Sequence, residues 1–208
     1  MNYKTIAQNG ENEQEIKKSR FICQMKRISS EEDGKAFIND VKKKHYKATH
    51  SCSAMIIGDN SLIKRSSDDG EPSGTAGVPM LTVLEKNQLT NVVAVVTRYF
   101  GGIKLGAGGL IRAYAGSVSE AINTLGKVEV KQLEGIKIEL SYTQYQTLSQ
   151  FLETENLQEY HTEFLANVTT FIYLEKENIE ATLSRLTEFY NGKIKTSREG
   201  NQIVEIPF

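Results

Sequence analysis

Arg98, Lys104 and Arg112 stand among five glycines, Gly101, Gly102, Gly106, Gly108 and Gly109, and no acidic residue occurs from Val92 to Ser119. Glycine permits positive φ and lets another group approach the backbone closely. A glycine loop that opens a helix aims unsatisfied N–H groups outward, which suits an anion. Three cations in the same stretch make it a candidate phosphate site. Ahead of it, Asp68, Asp69 and Glu71 crowd around Gly70, followed by Ser73 and Thr75. Paired carboxylates can hold magnesium or exchange protons. They can equally cap a turn and pair with Arg65 or Arg98. His50 and Cys52, two residues apart, fit either a thiolate with its base or a buried thiol beside a hydrogen-bonded imidazole.

These groups need elements to hold them. Val92–Val96 is an apolar β-branched run that reads as a buried strand. Leu110, Tyr114, Val118, Ala121 and Leu125 recur at helical spacing, the stripe of an amphipathic helix. Strand, glycine loop and helix therefore follow in order, with Tyr99, Phe100 and Tyr114 available to stack on bases. HSCSAMII (50–57) reads as a strand that places His50, Cys52, Ala54 and Ile56 on one face. A helix of about ten residues ends near Lys86, and Ser73 or Thr75 could cap it or help its end receive an anion. Asn9 to Lys18 is polar and reads as a turn. Phe21–Ile28 alternates as a strand, and Ser29 or Ser30 caps a helix whose first turn is acidic and whose end is Lys42, Lys43 and Lys44.

Beyond Gly126 the pattern changes. Ile136–Leu140, Tyr142–Thr154, Leu157–Glu163, Leu165–Leu174, Ile179–Tyr190 and Ile194–Ile206 read as βαββαβ, the ferredoxin-like order. The last segment is a strand or strand pair, with Gly200-Asn201 a possible turn. A boundary is expected between Val128 and Gly135, giving domains 1–130 and 135–208. Charge divides at the same place: residues 135–208 carry 6 basic and 11 acidic residues, and the preceding 134 carry 19 and 15. The basic first part points toward a polyanion.

The 208 residues, 39% hydrophobic and 25% charged, describe an ordinary globular chain. No run approaches the roughly 20 apolar residues of a membrane span, and the N-terminus has no hydrophobic signal region, so a cytoplasmic protein without membrane contact is expected. Two cysteines and three scattered histidines do not form a zinc pattern, and both thiols are expected reduced. No metal or cofactor is expected.

Three strings, ATHSCSA (48–54), SDDGEPSGTAGVPML (67–81) and VTRYFGGIKLGAGGLIRAY (96–114), resemble those of the YigZ/IMPACT family. The resemblance implies an α+β protein of two domains. The first would be an α/β sandwich like the second domain of a small-subunit ribosomal protein, a fold shared with translation factors and small-molecule kinases. The second would be ferredoxin-like and similar to the last domain of translocation elongation factors. Eukaryotic relatives regulate translation by competing for a partner of a stress-activated kinase, and the family supplies no catalytic residues to carry over. Three functions follow as expectations. One is a translation-associated protein that binds RNA or the ribosome through the glycine loop. Another is an enzyme acting on a phosphorylated or nucleotide substrate, against which stands the lack of a GxxxxGK[ST] string. The third is a regulator with a protein partner and no nucleic acid.

Overall fold

The computed structural model describes residues 2–208. The chain folds into two compact units, one comprising residues through Val130 together with Glu205–Phe208, the other Lys131–Val204.

In the first unit, five strands form an antiparallel sheet: β2 (Gly10–Ile16), β3 (Ser19–Arg27), β6 (Val92–Tyr99), β4 (His50–Ile57) and β5 (Ile63–Ser67), in that spatial order. Helices cover both faces. Val92, Ala94 and Val96 point into one core with α2 (Gly77–Lys86) and α3 (Ala107–Leu125), while Val93 and Val95 pack with α1 (Glu31–Lys44) in another. Burial on both sides explains why β6 is apolar without alternation. β1 (Asn2–Ile6) pairs with β7 (Lys127–Leu140), whose residues Lys127–Val130 belong to this unit. The C-terminal residues are fixed by a two-pronged Arg27–Glu205 bond at 2.5 and 2.8 Å and by Phe208 under the ammonium groups of Lys4 and Lys127.

The second unit runs β7, α4 (Tyr142–Glu155), β8 (Tyr160–Phe164), β9 (Val168–Leu174), α5 (Ile179–Phe189) and β10 (Lys195–Pro207), with strand order β10-β7-β9-β8. That is the βαββαβ arrangement, and Ile136, Ile138, Leu148, Phe151, Ile172 and Leu186 fill its core.

Three local expectations are corrected. Residues 10–16 are a strand, not a turn. Their side chains are polar because β2 is a sheet edge, held by backbone pairing with β3 from Gly10↔Met25 to Ile16↔Ser19. Ladder bonds override the low strand propensity of GENEQEI. The stretch 128–133 and the strand at 136–140 are one element, β7, and the end of the chain is one strand through Gly200-Asn201.

Ser141 and Gln144 form a reciprocal capping box on α4. Ser141→Ala removes the side-chain half of that box and should cost about 1 kcal/mol. A lower urea midpoint for the second unit's transition at unchanged slope is the expected reading.

Candidate anion-binding cleft

The site begins with strand register. Phe21, Arg98 and His50 lie side by side on β3, β6 and β4, two residues along from Cys23, Val96 and Cys52 and so on the same face. All share the face that packs against α2 and α3. Where the core row ends, the same face therefore presents a cation and an imidazole. Arg98 is 5% exposed, with its guanidinium between the rings of Phe21 at 5.5 Å and Phe100 at 5.3 Å.

The segment between β5 and α2 supplies the counter-charge. Glu71 Oε1 accepts from Arg98 Nη1 and from the Tyr114 hydroxyl, each at 2.7 Å. Burial, reinforced by Cys52 and by this carboxylate, pushes the Tyr114 hydroxyl far above its usual range, so it remains a donor. Asp68 holds the segment in place. Its Oδ2 accepts from Gly74 N at 2.8 Å, and its Oδ1 from Ala76 N and Gly77 N at 3.1 and 2.8 Å. Partial burial raises the Asp68 pKa, but these backbone donors outweigh it and the net displacement is downward. Asp69 pairs with Lys42 at 2.5 Å and accepts from Ser51 N at 2.7 Å.

Cys52 Sγ donates to the Asp68 carbonyl at 2.9 Å, and burial pushes the thiol up to about 12. It has no thiolate character near neutrality. His50 does not activate it, because its Nδ1 is bonded at 2.8 Å to the Asp69 carbonyl. Neither Ser73 nor Thr75 caps α2. The Thr75 hydroxyl turns back to the Pro72 carbonyl at 2.6 Å, since Asp68 already occupies the helix N–H groups. Among the described residues no group of three or more His, Cys, Asp or Glu side chains is arranged to hold a metal ion.

The glycine loop, residues 100–106, crosses above this layer. Phe100 N donates to Thr49 Oγ1 and Gly101 N to Ser19 Oγ. Gly101 is required sterically, because a Cβ there would lie 1.8 Å from the Lys18 carbonyl oxygen. Gly106 is the N-cap of α3, with φ 72° and no side-chain cap, and Gly102 also takes positive φ. Gly109 is packed against Leu105, whereas Gly108 meets only the end of Arg112 at 3.6 Å. Lys104 and Arg112 are exposed, and among the described residues no carboxylate pairs with either.

Together these parts border a cleft of about 430 Å³ lined by His50, Glu71, Arg98, Phe100, Lys104 and Gly106 among others. The structure thus brings Arg98, Lys104 and Gly106 together. Ser73 and Asp68 do not line the cleft, and Tyr114 lies in the core where it cannot stack on a base. Sequence reading offered His50 as a hydrogen-bonded imidazole beside a buried thiol, as the structure has it, but did not place it in this cleft. Its parity with Arg98 across adjacent strands was the available signal, but strand pairing was needed to use it.

The family model described as the Impact N-terminal domain matches residues 17–122, and one described as a domain of unknown function (DUF1949) matches residues 138–193. The chain is 49% identical over 197 residues to the IMPACT family member YvyE of Bacillus subtilis (strain 168), covering 92% of this chain and 88% of that protein. It is 35% identical over 184 residues to the IMPACT family member YigZ of Escherichia coli (strain K12), covering 88% and 90%. A crystal structure of a hypothetical protein aligns at TM-score 0.60 and 33% identity over 94% of this chain and 96% of that one.

Two outcomes test the layer beneath the cleft. Asp68→Asn should lower stability by about 1–3 kcal/mol at neutral pH, as charged hydrogen bonds are weakened. Because the folded pKa is depressed, the carboxylate's contribution is complete above its unfolded value, about 3.9, and is lost as pH falls through the lower folded value. The gap between wild type and variant, read from urea midpoints, should therefore close in acid. Cys52 should react with a thiol probe slowly in the native state and rapidly once unfolded; fast native labelling at neutral pH would contradict its placement.

Proposed function

Since this chain belongs to the IMPACT family, we propose that it is a translation-associated regulatory protein that binds RNA, free or ribosomal, through the glycine loop and first turn of α3. One observation carries the reading. Among the described residues Lys104 and Arg112 are exposed cations without carboxylate partners, and they flank a helix N-terminus that no side chain caps. Unsatisfied N–H groups and the helix dipole favour negative charge at that point, and nearby ammonium and guanidinium groups add to it. Arg98 supports the loop from below, its charge being compensated by Glu71. The translation role is what the resemblance to the family's eukaryotic members implies. The basic balance of residues 1–134 agrees with a polyanionic partner.

Phosphate contacts position a protein without reading sequence. Lys104→Ala and Arg112→Ala should each weaken binding to unrelated single-stranded RNAs about equally. Each should also lower the magnitude of the log K against log[salt] slope by roughly 0.7. Folded variants with unchanged slopes would remove these residues from the interface. Gly108→Ala separates binding from folding. It has room for a methyl group and should stabilise α3 by up to about 1 kcal/mol, yet weaken RNA binding by crowding the backbone. Equal affinity in the stabilised variant would speak against close approach there.

A further inference from the structure

The floor of the cleft holds two hydrogen-bond acceptors set side by side. His50 Nδ1 contacts the Asp69 carbonyl at 2.8 Å. A carbonyl oxygen can only accept, so Nδ1 carries the ring proton, and Nε2 of the neutral ring is an acceptor. Nε2 lies 3.8 Å from Glu71 Oε2. That distance is too long for a hydrogen bond. Among the described residues no hydrogen bond reaches either atom, although Glu71 is only 7% exposed and its other oxygen takes two donors. A carboxylate oxygen on a side chain only 3% exposed, facing a second lone pair, suits donors from a ligand.

The rest of the cleft narrows the choice. At its opposite wall are Gly106 and Ala107 of the uncapped α3 N-terminus, with Lys104 beside them, a place for one phosphate. Phe100, 46% exposed and backed by the Arg98 guanidinium, offers an aromatic face, and Pro72, Leu105 and Leu110 complete an apolar lining. The volume, about 430 Å³, fits a small molecule and not a continuous strand. Adjacent acceptors match adjacent hydroxyls, each donating once.

From this we infer that the cleft binds a ribonucleoside 5′-phosphate unit with free 2′- and 3′-hydroxyls. The hydroxyls donate to His50 Nε2 and Glu71 Oε2, the phosphate sits at the α3 N-terminus with Lys104, and the base lies against Phe100. This deepens and rests on the RNA reading, since such a unit occurs at the 3′ end of an RNA as well as in a free mononucleotide. It makes the protein a reader of RNA ends, with Arg112 left for the phosphates upstream. Selectivity against a missing hydroxyl is expected because Glu71 Oε2 and His50 Nε2, on side chains 3% and 20% exposed, would each lose a donor.

The test uses the full chain and a single-stranded RNA of about 12 nucleotides, made with a 2′,3′-diol, a 2′,3′-dideoxy or a 3′-phosphate terminus. Adenosine 5′-phosphate and its 2′,3′-dideoxy analogue form a second arm. The diol RNA should bind about tenfold or more tightly than the other two, and His50→Ala, which removes one of the two acceptors, should shrink that difference while keeping the salt dependence. Equal binding of all three RNAs would overturn the inference and leave the RNA reading standing. Diol-dependent binding of the mononucleotide with no binding of any RNA would support the cleft assignment and overturn the RNA reading. No binding in either arm would overturn both.

Discussion

The buried contact of Arg98 with Glu71 is the constraint around which the first unit is arranged. Two charges removed from water are costly, and their attraction offsets that cost only when the remaining polar atoms are satisfied. Here that satisfaction is partial: the Tyr114 hydroxyl is the second donor to the same carboxylate oxygen and Ser19 Oγ lies 3.4 Å from another guanidinium nitrogen, whereas Arg98 Nε has no hydrogen-bond partner among the described residues. Removing one partner of such a pair typically costs about 3–5 kcal/mol, because the survivor is left charged in the interior. The contact therefore fixes β6, the segment before α2 and the first turns of α3 relative to one another. The three unusual strings of the sequence meet at this point: His50 comes from the first, Asp68 and Glu71 from the second, Arg98 and Tyr114 from the third.

Helix ends in the first unit divide into those satisfied from within and one that is not. Ser30 caps α1, and Asp68 reaches across to the N–H groups that begin α2. α3 starts from Gly106 with no side-chain acceptor, beside a cleft and beside Lys104. The first unit, whose other two helices begin on oxygen acceptors, places glycine here instead. Glycine leaves the end of the helix open on the side where a ligand can reach it. The carboxylates nearest to it are already engaged: Glu71 with Arg98 and Tyr114, Asp69 with Lys42, Asp68 with backbone. Their negative charge is thus partly spent before any anion approaches the loop.

Much of this was legible in the residues alone. The β-branched run at 92–96, the glycines and the helical stripe from Leu110 to Leu125 determine strand, loop and helix in that order, because period and backbone freedom are local properties. The parity of His50, Cys52, Ala54 and Ile56 is local too, and so is the βαββαβ order of the second unit. The polar edge strand β2 was not legible: its stability comes from pairing with β3, and GENEQEI carries no apolar alternation to announce it.

Tertiary structure alone decided what the charges do. The residues offered both Arg65 and Arg98 as partners for the acidic cluster, and spacing does not say that Arg98 is the one that meets Glu71, 27 residues away, while Lys104, six residues on, has no carboxylate partner among the described residues. Spacing put Tyr114 on the apolar stripe of α3, but it does not say that Phe100 turns outward. Electrostatic partnership depends on distance and burial, and both are set by how β3, β4 and β6 align and by which helix covers them. The sequence by itself determined which groups are available at the glycine loop. Strand register and the closure of α3 over the sheet determined which of them are neutralised in the interior and which stay exposed at the cleft.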